Sequence, residues 1–195
     1  MINEIIHLIQ GINHLPAELE QALRKYIGFT TASPGHFLLK PKQPCDRVYL
    51  VLSGLLRCYT EGDGKERTIW FRTNSQAAFL APNFCNREPA QEEYIVAIEK
   101  TELACITFEH REELRRRFVE FAYIDAYFTE ECLAEHLHHS SICKLNAEQR
   151  YNWFLEFYHH LLPRVPLRHI ASFLGMTEET LSRARGRILR RAKSS

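Results

Sequence analysis

The stretch HIASFLGMTEETLSR, residues 169–183, decides the fold of the C-terminal part of the chain. Apolar residues recur at helical spacing from Ile170 to Leu174, so a first helix has one apolar face. Gly175 ends that helix and supplies a tight turn. Thr177 is suited to cap a second helix, whose first turn carries two acidic residues where the helix dipole favours them. The stretch therefore predicts a helix-turn-helix, a motif whose second helix fits a DNA major groove.

The outward face of this second helix is the predicted DNA-contacting surface. An inward stripe of Leu181, Ala184 and Ile188 turns Glu179 and Arg183 outward. Arginine can bond a guanine edge with two hydrogen bonds and glutamate can accept from a cytosine amino group, so these two are the predicted base readers. Their i, i+4 spacing also lets them brace each other. The predicted phosphate contacts are hydroxyl and arginine side chains of the same helix: Thr177, Thr180, Ser182, Arg187, Arg190 and Arg191. The alternative is a solvated, arginine-rich helix that packs only on its own domain.

The charge distribution supports nucleic-acid binding better than the total charge does. Residues 164–195 contain eight basic and two acidic residues, a net charge of +6. Because the whole chain has a formal net charge of +1, residues 1–163 carry −5. A basic end on an acidic body is typical of a protein whose end reads DNA.

Length and composition indicate a globular, cytoplasmic protein with one or two domains. The 195 residues are 45% hydrophobic and 25% charged, which is ordinary for a soluble fold with a real core. No apolar run reaches membrane length, and the N-terminus lacks the pattern of a secretory signal. Six cysteines are scattered without a C-x-x-C pair, which favours a reducing compartment.

The first half of the chain changes from a helical to a β pattern. Residues 1–28 have helical periodicity, and Pro16 opens the second of two helices. From Phe29 to about Phe108, short apolar segments follow one another with Gly or Pro between them, and residues 61–65, EGDGK, read as a hairpin turn. Regularly spaced short strands predict a sandwich or a small barrel.

A long helix is predicted from about residue 109 to about residue 143, because apolar residues again recur every three or four positions. Such a helix between two domains is a candidate dimer seam, and the alternative is that its apolar stripe packs only on its own β domain. The predicted seam residues are Phe118, Phe121, Phe128 and Cys132. The predicted domains are residues 1–109, 110–143 and 144–195.

Several segments together resemble one family. They are YLVLSGLLR at 49–57, GKER at 64–67, AEQRY at 147–151, VP at 165–166 and the stretch 170–183. In this order the chain is similar to the cyclic-AMP receptor and fumarate–nitrate regulator (Crp/Fnr) family of bacterial transcription regulators, in its compact Bacteroidetes-type branch. The resemblance implies an α+β fold with a double-stranded β-roll, a long dimerisation helix and a C-terminal helix-turn-helix. It also implies a homodimer on a palindromic operator in double-stranded DNA, RNA polymerase as a further partner, and a small-molecule effector of unknown identity.

The chain departs from the family where cyclic nucleotides bind. Relatives that bind them carry a Gly-Glu pair and an arginine followed by Ser or Thr, which grips the cyclic phosphate. Here residues 79–84 read FLAPNF, and Glu92 and Glu93 stand near the phosphate position. Two carboxylates repel an anion strongly at low dielectric, so we expect no cyclic-nucleotide binding in the usual mode. A cyclic-nucleotide-responsive regulator remains the alternative because Arg87 could reach the pocket. The predicted effector-pocket residues are Arg57, Phe79, Arg87 and Tyr94.

A second departure concerns the segment after the recognition helix. A wing hairpin often follows there in the family, whereas this chain ends soon after Arg191. We therefore expect a helix-turn-helix domain without a C-terminal wing, with DNA contacts from the helix pair and the arginine-rich tail.

One set of potential metal ligands lies on the long helix. Cys132, His136, His139 and Cys143 follow a 4-3-4 spacing and share one helix face. Thiolate and imidazole are zinc ligands, but a single helix cannot surround one ion tetrahedrally from four successive turns. We favour a plain interface stripe and expect neither a metal site nor a cofactor.

An enzyme is the competing class of protein. No G-x-S-x-G, P-loop or H-E-x-x-H motif is present. A cupin-like enzyme would need several histidines on its strands, and the β region contains only His36. The sequence therefore favours a regulator with no catalytic residues.

Overall fold

The computed structural model describes residues 1–78, 89–142 and 144–193. The N-terminal elements in chain order are α1 (Ile2–Gln10), α2 (Ala17–Tyr26), β1 (Gly28–Ala32), β2 (Phe37–Leu39), β3 (Arg47–Ser53), β4 (Leu56–Gly62), β5 (Lys65–Arg72), β6 (Ala77–Ala78), β7 (Glu93–Ala97) and β8 (Thr101–Thr107). The C-terminal elements are α3 (Phe108–Arg117), α4 (Val119–Ile142), α5 (Ala147–Tyr158), a 3-10 turn (His159–Leu161), α6 (Leu167–Phe173) and α7 (Glu178–Lys193). The predicted α+β fold is confirmed.

The strands form two four-stranded sheets, in the orders β1-β8-β3-β6 and β2-β7-β4-β5. Strand β8 lies in the middle of the first sheet, antiparallel to β1 and to β3. Strand β6 pairs antiparallel with β3, and β7 pairs antiparallel with β2. Short strands arranged in two sheets agree with the sandwich or small barrel that the regularly spaced segments predict.

Two turns depend on residues that tolerate a positive φ. Gly54 has φ +102, and a Cβ there would lie 2.6 Å from the backbone of Lys100 and Thr101, so no larger residue fits this turn. Asp63 (φ 52) and Gly64 (φ 69) form the two-residue turn between β4 and β5. Consecutive positive φ values match the right-handed twist of a hairpin, which confirms the turn predicted at 61–65.

The main core of the N-terminal region lies between the first two helices, the first sheet and the long helix. Leu19 and Leu23 of α2 are fully buried, with Leu114 of α3 and Ile124 of α4 in the same cluster. The hydrophobic effect of burying these apolar side chains holds the N-terminal helices on the sheet.

The region predicted as one long helix is two helices. Phe118 has extended backbone angles (φ −133, ψ 115) and separates α3 from α4. Its side chain is buried in the core cluster, and three arginines in the last turn of α3 suit the negative end of the helix dipole. The helical spacing of the apolar residues continues across the break, and for this reason the sequence pattern did not reveal it.

The chain divides into two compact units. The first comprises Met1–Cys58 and Phe71–Ala134, and the second comprises Tyr59–Trp70 and Glu135–Ser195. The outer part of the β4–β5 hairpin and the end of α4 therefore belong with the helix-turn-helix, which differs from the predicted limits at residues 109 and 143. Across the described ranges, no helix combines the length and the apolar character needed to cross a bilayer.

Candidate nucleic-acid interface

The turn of the helix-turn-helix is closed by backbone hydrogen bonds. The Met176 amide donates to the Ala171 carbonyl at 3.0 Å, and Gly175 has φ +63. This is the Schellman arrangement that a glycine after a helix permits, so the predicted role of Gly175 is confirmed. Arg150 of α5 donates from Nη1 to the carbonyl oxygens of Leu174 and Gly175 at 2.9 and 3.1 Å. Sequence reasoning gave Arg150 no role, because nothing local shows that its guanidinium reaches a turn 24 residues away.

The second helix of the motif begins at a side-chain cap. Thr177 Oγ1 accepts from the Thr180 amide at 3.2 Å and lies 2.9 Å from Thr180 Oγ1. Glu178 and Glu179 follow in the first turn of α7, where they suit the helix dipole. The cap predicted at Thr177 is confirmed. The two threonine hydroxyls, which we expected on DNA phosphates, bond each other in this state of the protein.

A core of apolar and aromatic side chains orients α7 within the second unit. Leu181 and Ala184 are fully buried, and Phe154 of α5 and Phe173 of α6 are buried with them. Because two of the three residues of the predicted inward stripe lie in this core, the opposite face of α7 is held toward solvent.

The outward face of α7 carries the two predicted base readers. Arg183 bonds Glu179 through Nη2, and the two side chains are 66% and 74% exposed. A pair in water at one helical turn is weakly held, so both groups can exchange this contact for base edges. Five side chains or backbone positions on this face line an open concavity of about 520 Å³: Ser182, Arg183, Gly186, Arg187 and Arg190.

Two of the predicted phosphate-binding arginines have an acidic partner on α5. Glu148 accepts from Arg187 Nε at 3.0 Å and from Arg191 Nη1 at 2.7 Å. Both arginine side chains are at least half exposed, whereas the Glu148 side chain is 21% exposed. Glu148 therefore positions the C-terminal half of α7 and reduces the positive charge that Arg187 and Arg191 present.

The β4–β5 hairpin contacts the first helix of the motif within the second unit. Ser172 Oγ donates to the Glu66 carbonyl at 2.7 Å and accepts from the Thr68 amide at 2.8 Å. The Glu66 carboxylate lies 3.7 Å from His169 Nδ1. Sequence reasoning assigned Ser172 only to the helix, because a contact between residues about a hundred positions apart leaves no local signal.

Two histidines at the end of α4, His138 and His139, pack against aromatic side chains. His139 stacks on Phe173 with ring centroids 4.3 Å apart, and its Nε2 is 2.6 Å from the Phe173 carbonyl oxygen. Trp153 Nε1 donates to His138 Nε2 at 3.2 Å. Burial lowers the pKa of His139, with His136 and Arg67 acting in the same direction. Among the described residues no three potential metal ligands come together, and Cys143 lies outside those residues.

The long helix α4 has two apolar faces. The predicted seam residues share the inner face: Phe121 is buried in the core cluster, Phe128 packs against it, and Cys132 Sγ approaches the Ala77 carbonyl. The fourth predicted seam residue, Phe118, is buried just before α4 begins. A second row, defined as Val119, Tyr123, Tyr127 and Leu133, lies on the outer face with exposures of 78, 60, 40 and 56%. Four large apolar side chains along one exposed helix face are typical of an interaction site.

Of the four predicted effector-pocket residues of the roll, the structure describes two, Arg57 and Tyr94. Arg57 is buried, and Tyr94 packs at a tilt on Phe37 with centroids 5.8 Å apart. Phe79 and Arg87 lie outside the described residues. The Glu93 carboxylate accepts from the amides of Gln91 and Glu92 at 2.9 and 3.1 Å, which ties it to its own loop.

Comparison with known proteins identifies the β domain and the overall fold. Residues 29–118 match the family model of the cyclic nucleotide-binding domain. FixK2 from Bradyrhizobium japonicum superposes with a TM-score of 0.72 at 20% identity, over 85% of this chain and 86% of FixK2. A comparison with curated protein sequences found no match.

Two further solved structures share the fold. The global regulator CLP of Xanthomonas campestris, described as c-di-GMP-responsive, has a TM-score of 0.68 at 16% identity, over 91% of this chain and 93% of CLP. The catabolite activator protein of Thermus thermophilus has a TM-score of 0.52 at 24% identity, over 91% of this chain and 84% of that protein. Both likenesses extend through the roll and the helical region.

Proposed function

We propose that this chain, which has the fold of the Crp/Fnr regulators and carries a domain of the cyclic nucleotide-binding family at residues 29–118, is a sequence-specific DNA-binding transcription regulator. The observation that carries the proposal is the outward face of α7, where Glu179 and Arg183 are exposed beside further arginines on a capped and well-packed helix. Such a face matches the hydrogen-bonding groups of the major groove. A regulator of this kind works where the DNA is, so we place it in the cytoplasm.

We further propose that the regulator is a homodimer joined through the outer row of α4. Val119, Tyr123 and Leu133 follow a spacing compatible with a coiled-coil seam, and Tyr127 lies beside it. A second copy would remove this row from water, which the core of the same chain does not do. Two recognition helices roughly 34 Å apart would then read a palindromic site of two half-sites.

Selection from a library of random duplexes tests DNA reading directly, because the bound sequences themselves reveal the operator. We expect an enriched inverted repeat whose half-site centres lie about 10–10.5 base pairs, or a multiple of that, apart. Arg183→Ala should lose the enrichment, and Arg116→Ala, a matched change at an exposed arginine of α3, should retain it. Enrichment of no sequence by the unaltered protein, at any salt concentration, would contradict the proposal.

For the roll, we propose that an effector other than a cyclic nucleotide binds, or that none is required. The support is the acidic loop at Gln91–Glu93, whose carboxylates would oppose a cyclic phosphate. We expect isothermal titration with cyclic AMP and cyclic GMP to give no binding at micromolar concentrations. Micromolar affinity for either nucleotide would establish the alternative, a cyclic-nucleotide-responsive regulator.

A further inference from the structure

A cavity lies within the first unit, apart from the predicted effector-pocket residues of the roll. Its volume is about 100 Å³. Its wall includes Ile9 of α1, Leu23 of α2, Ala104 of β8 and Ile124 of α4. The space is partly open to solvent, and nearly all of its accessible lining is apolar, so it is an apolar pocket rather than a sealed void.

The wall offers little to water or to a charged ligand. Arg111 and Asp125 are its charged members, and they bond each other, with Nη2 and Oδ2 2.7 Å apart. Tyr49 contributes to the wall from β3, and burial raises the pKa of its phenol, as expected in apolar surroundings. A buried water needs two to four polar partners, and most of this wall is aliphatic or aromatic side chain.

We propose that this cavity binds an uncharged apolar molecule no larger than a single benzene ring. A cavity of about 150 Å³ with Leu, Ile and Phe walls binds benzene or xenon, so a space of about 100 Å³ limits the occupant to that size or smaller. The charge follows from the ion pair, which leaves no unmatched group for an ionic ligand. This site is independent of the proposed DNA binding and differs in position and chemistry from the predicted pocket at Arg57 and Tyr94.

The position of the cavity gives an occupant direct contact with α4. Phe121, Ile124 and Phe128 line it from the inner face of that helix, about half a turn away from Tyr123 and Leu133 of the outer row. An occupant would therefore touch the helix that we propose as the dimer seam, from the side opposite the seam.

Benzene serves as the test ligand, with the full chain and no DNA. We expect near-saturating benzene to raise the melting temperature by about 1–3 °C, while benzoate, its charged analogue, has no effect. In nuclear Overhauser spectra the benzene protons should contact methyl groups of Ile9, Leu23 and Ile124. Ala104→Val, which fills the cavity, should weaken benzene binding at least about tenfold. Ala97→Val, a buried change outside the wall, should leave it unchanged.

Several results would overturn the proposal. These are equal stabilisation by benzene and benzoate, undiminished binding by folded Ala104→Val, and Overhauser contacts with other methyl groups. If Ala104→Val does not fold, the Overhauser contacts of the unaltered protein decide.

Discussion

The two units differ in how they hold their arginines, because the buried arginines among the described residues all lie in the first unit. In the first unit Arg57, Arg72 and Arg111 are buried, and Arg72 donates to the carbonyls of Phe71 and Ala77. The same unit exposes an apolar row on α4. In the second unit apolar side chains such as Leu181 are buried, and Arg183 is exposed on α7.

This difference shows that arginine content alone does not identify a DNA-binding surface. A buried arginine bonded to carbonyls or to a carboxylate is committed to the fold, since removing its partner leaves an uncompensated charge. An exposed arginine with one weak partner on its own helix keeps its donors available. The exposed apolar row of the first unit suits a protein partner, and the exposed charged face of the second suits a nucleic acid.

The largest expected effect concerns the buried ion pair of the first unit. Arg111→Ala should lower the free energy of unfolding by up to about 3–5 kcal/mol, because Asp125 would stay charged in a mostly buried position with only the more distant Arg115, at 3.5 Å, as a cationic partner. Urea denaturation measures this loss. The control Arg117→Ala, in an exposed pair with Glu113, should cost less than about 1 kcal/mol. Equal losses of stability in the two variants would contradict the distinction between buried arginines that the fold requires and exposed arginines whose donors remain available.

The next effect concerns the apolar row of α4. Tyr123→Glu with Leu133→Glu should convert a dimer to a monomer in sedimentation experiments and weaken binding to a two-half-site duplex by about 100-fold or more. Both positions are exposed, so the circular dichroism of the fold should persist, and Glu131→Gln should change neither property. Loss of the dimer in a folded Phe128→Ala variant, with the outer-row variant still dimeric, would restore the seam first predicted at Phe118, Phe121, Phe128 and Cys132.

Within the charged face of α7, specificity and affinity should separate. Arg183→Ala should weaken the binding free energy for the selected site by about 1–3 kcal/mol and change that for random DNA little. Arg191→Ala should weaken both equally and reduce the salt slope by about one unit or less, because Glu148 already shares that charge. Competition gel shifts at two salt concentrations measure the affinity of each variant for the selected site and for random DNA. A loss for Arg183→Ala that is the same on both DNAs would show that it contacts only the backbone.

The smallest expected effect concerns His139, a partly buried titratable group of the second unit. Burial lowers the pKa of His139 in the folded chain, while an unfolded histidine titrates near pH 6.5. Below that pH the unfolded chain binds a proton at His139 more readily than the folded chain does. The free energy of unfolding should therefore fall as the pH is lowered from about 6.5. His139→Gln should make this decline shallower, and His7→Gln, at an exposed position of α1, should not. An unchanged decline in His139→Gln would assign it to other groups, such as His160, whose pKa burial also lowers.

The sequence was sufficient for features specified by neighbouring residues. A few consecutive residues specify each of these features: the turn at Gly175, the cap at Thr177, the hairpin turn at Asp63–Gly64 and the change from strands to helices after β8. The resemblance to the Crp/Fnr fold is confirmed as well. Tertiary contacts do not override such local preferences, because the backbone at each of these positions has few alternative conformations.

Features that depend on distant contacts could not be read in this way. The seam illustrates the reason: α4 is apolar on two faces, and only the packing of α1 and α2 shows that Phe121 faces its own core. The break at Phe118 has the same origin, since a helical pattern continues through it. Glu148, Arg150 and Ser172 act on partners between 24 and about 106 residues away, and no spacing rule relates such positions.

The most direct test of sequence reading by α7 replaces single atoms of the DNA. Guanines of the selected site are exchanged one at a time for 7-deazaguanine, which lacks the N7 acceptor that a bidentate arginine uses. For one guanine in each half-site the unaltered protein should lose about tenfold or more in affinity, while Arg183→Ala should be indifferent to the exchange. Equal losses for the two proteins at every guanine would contradict the account.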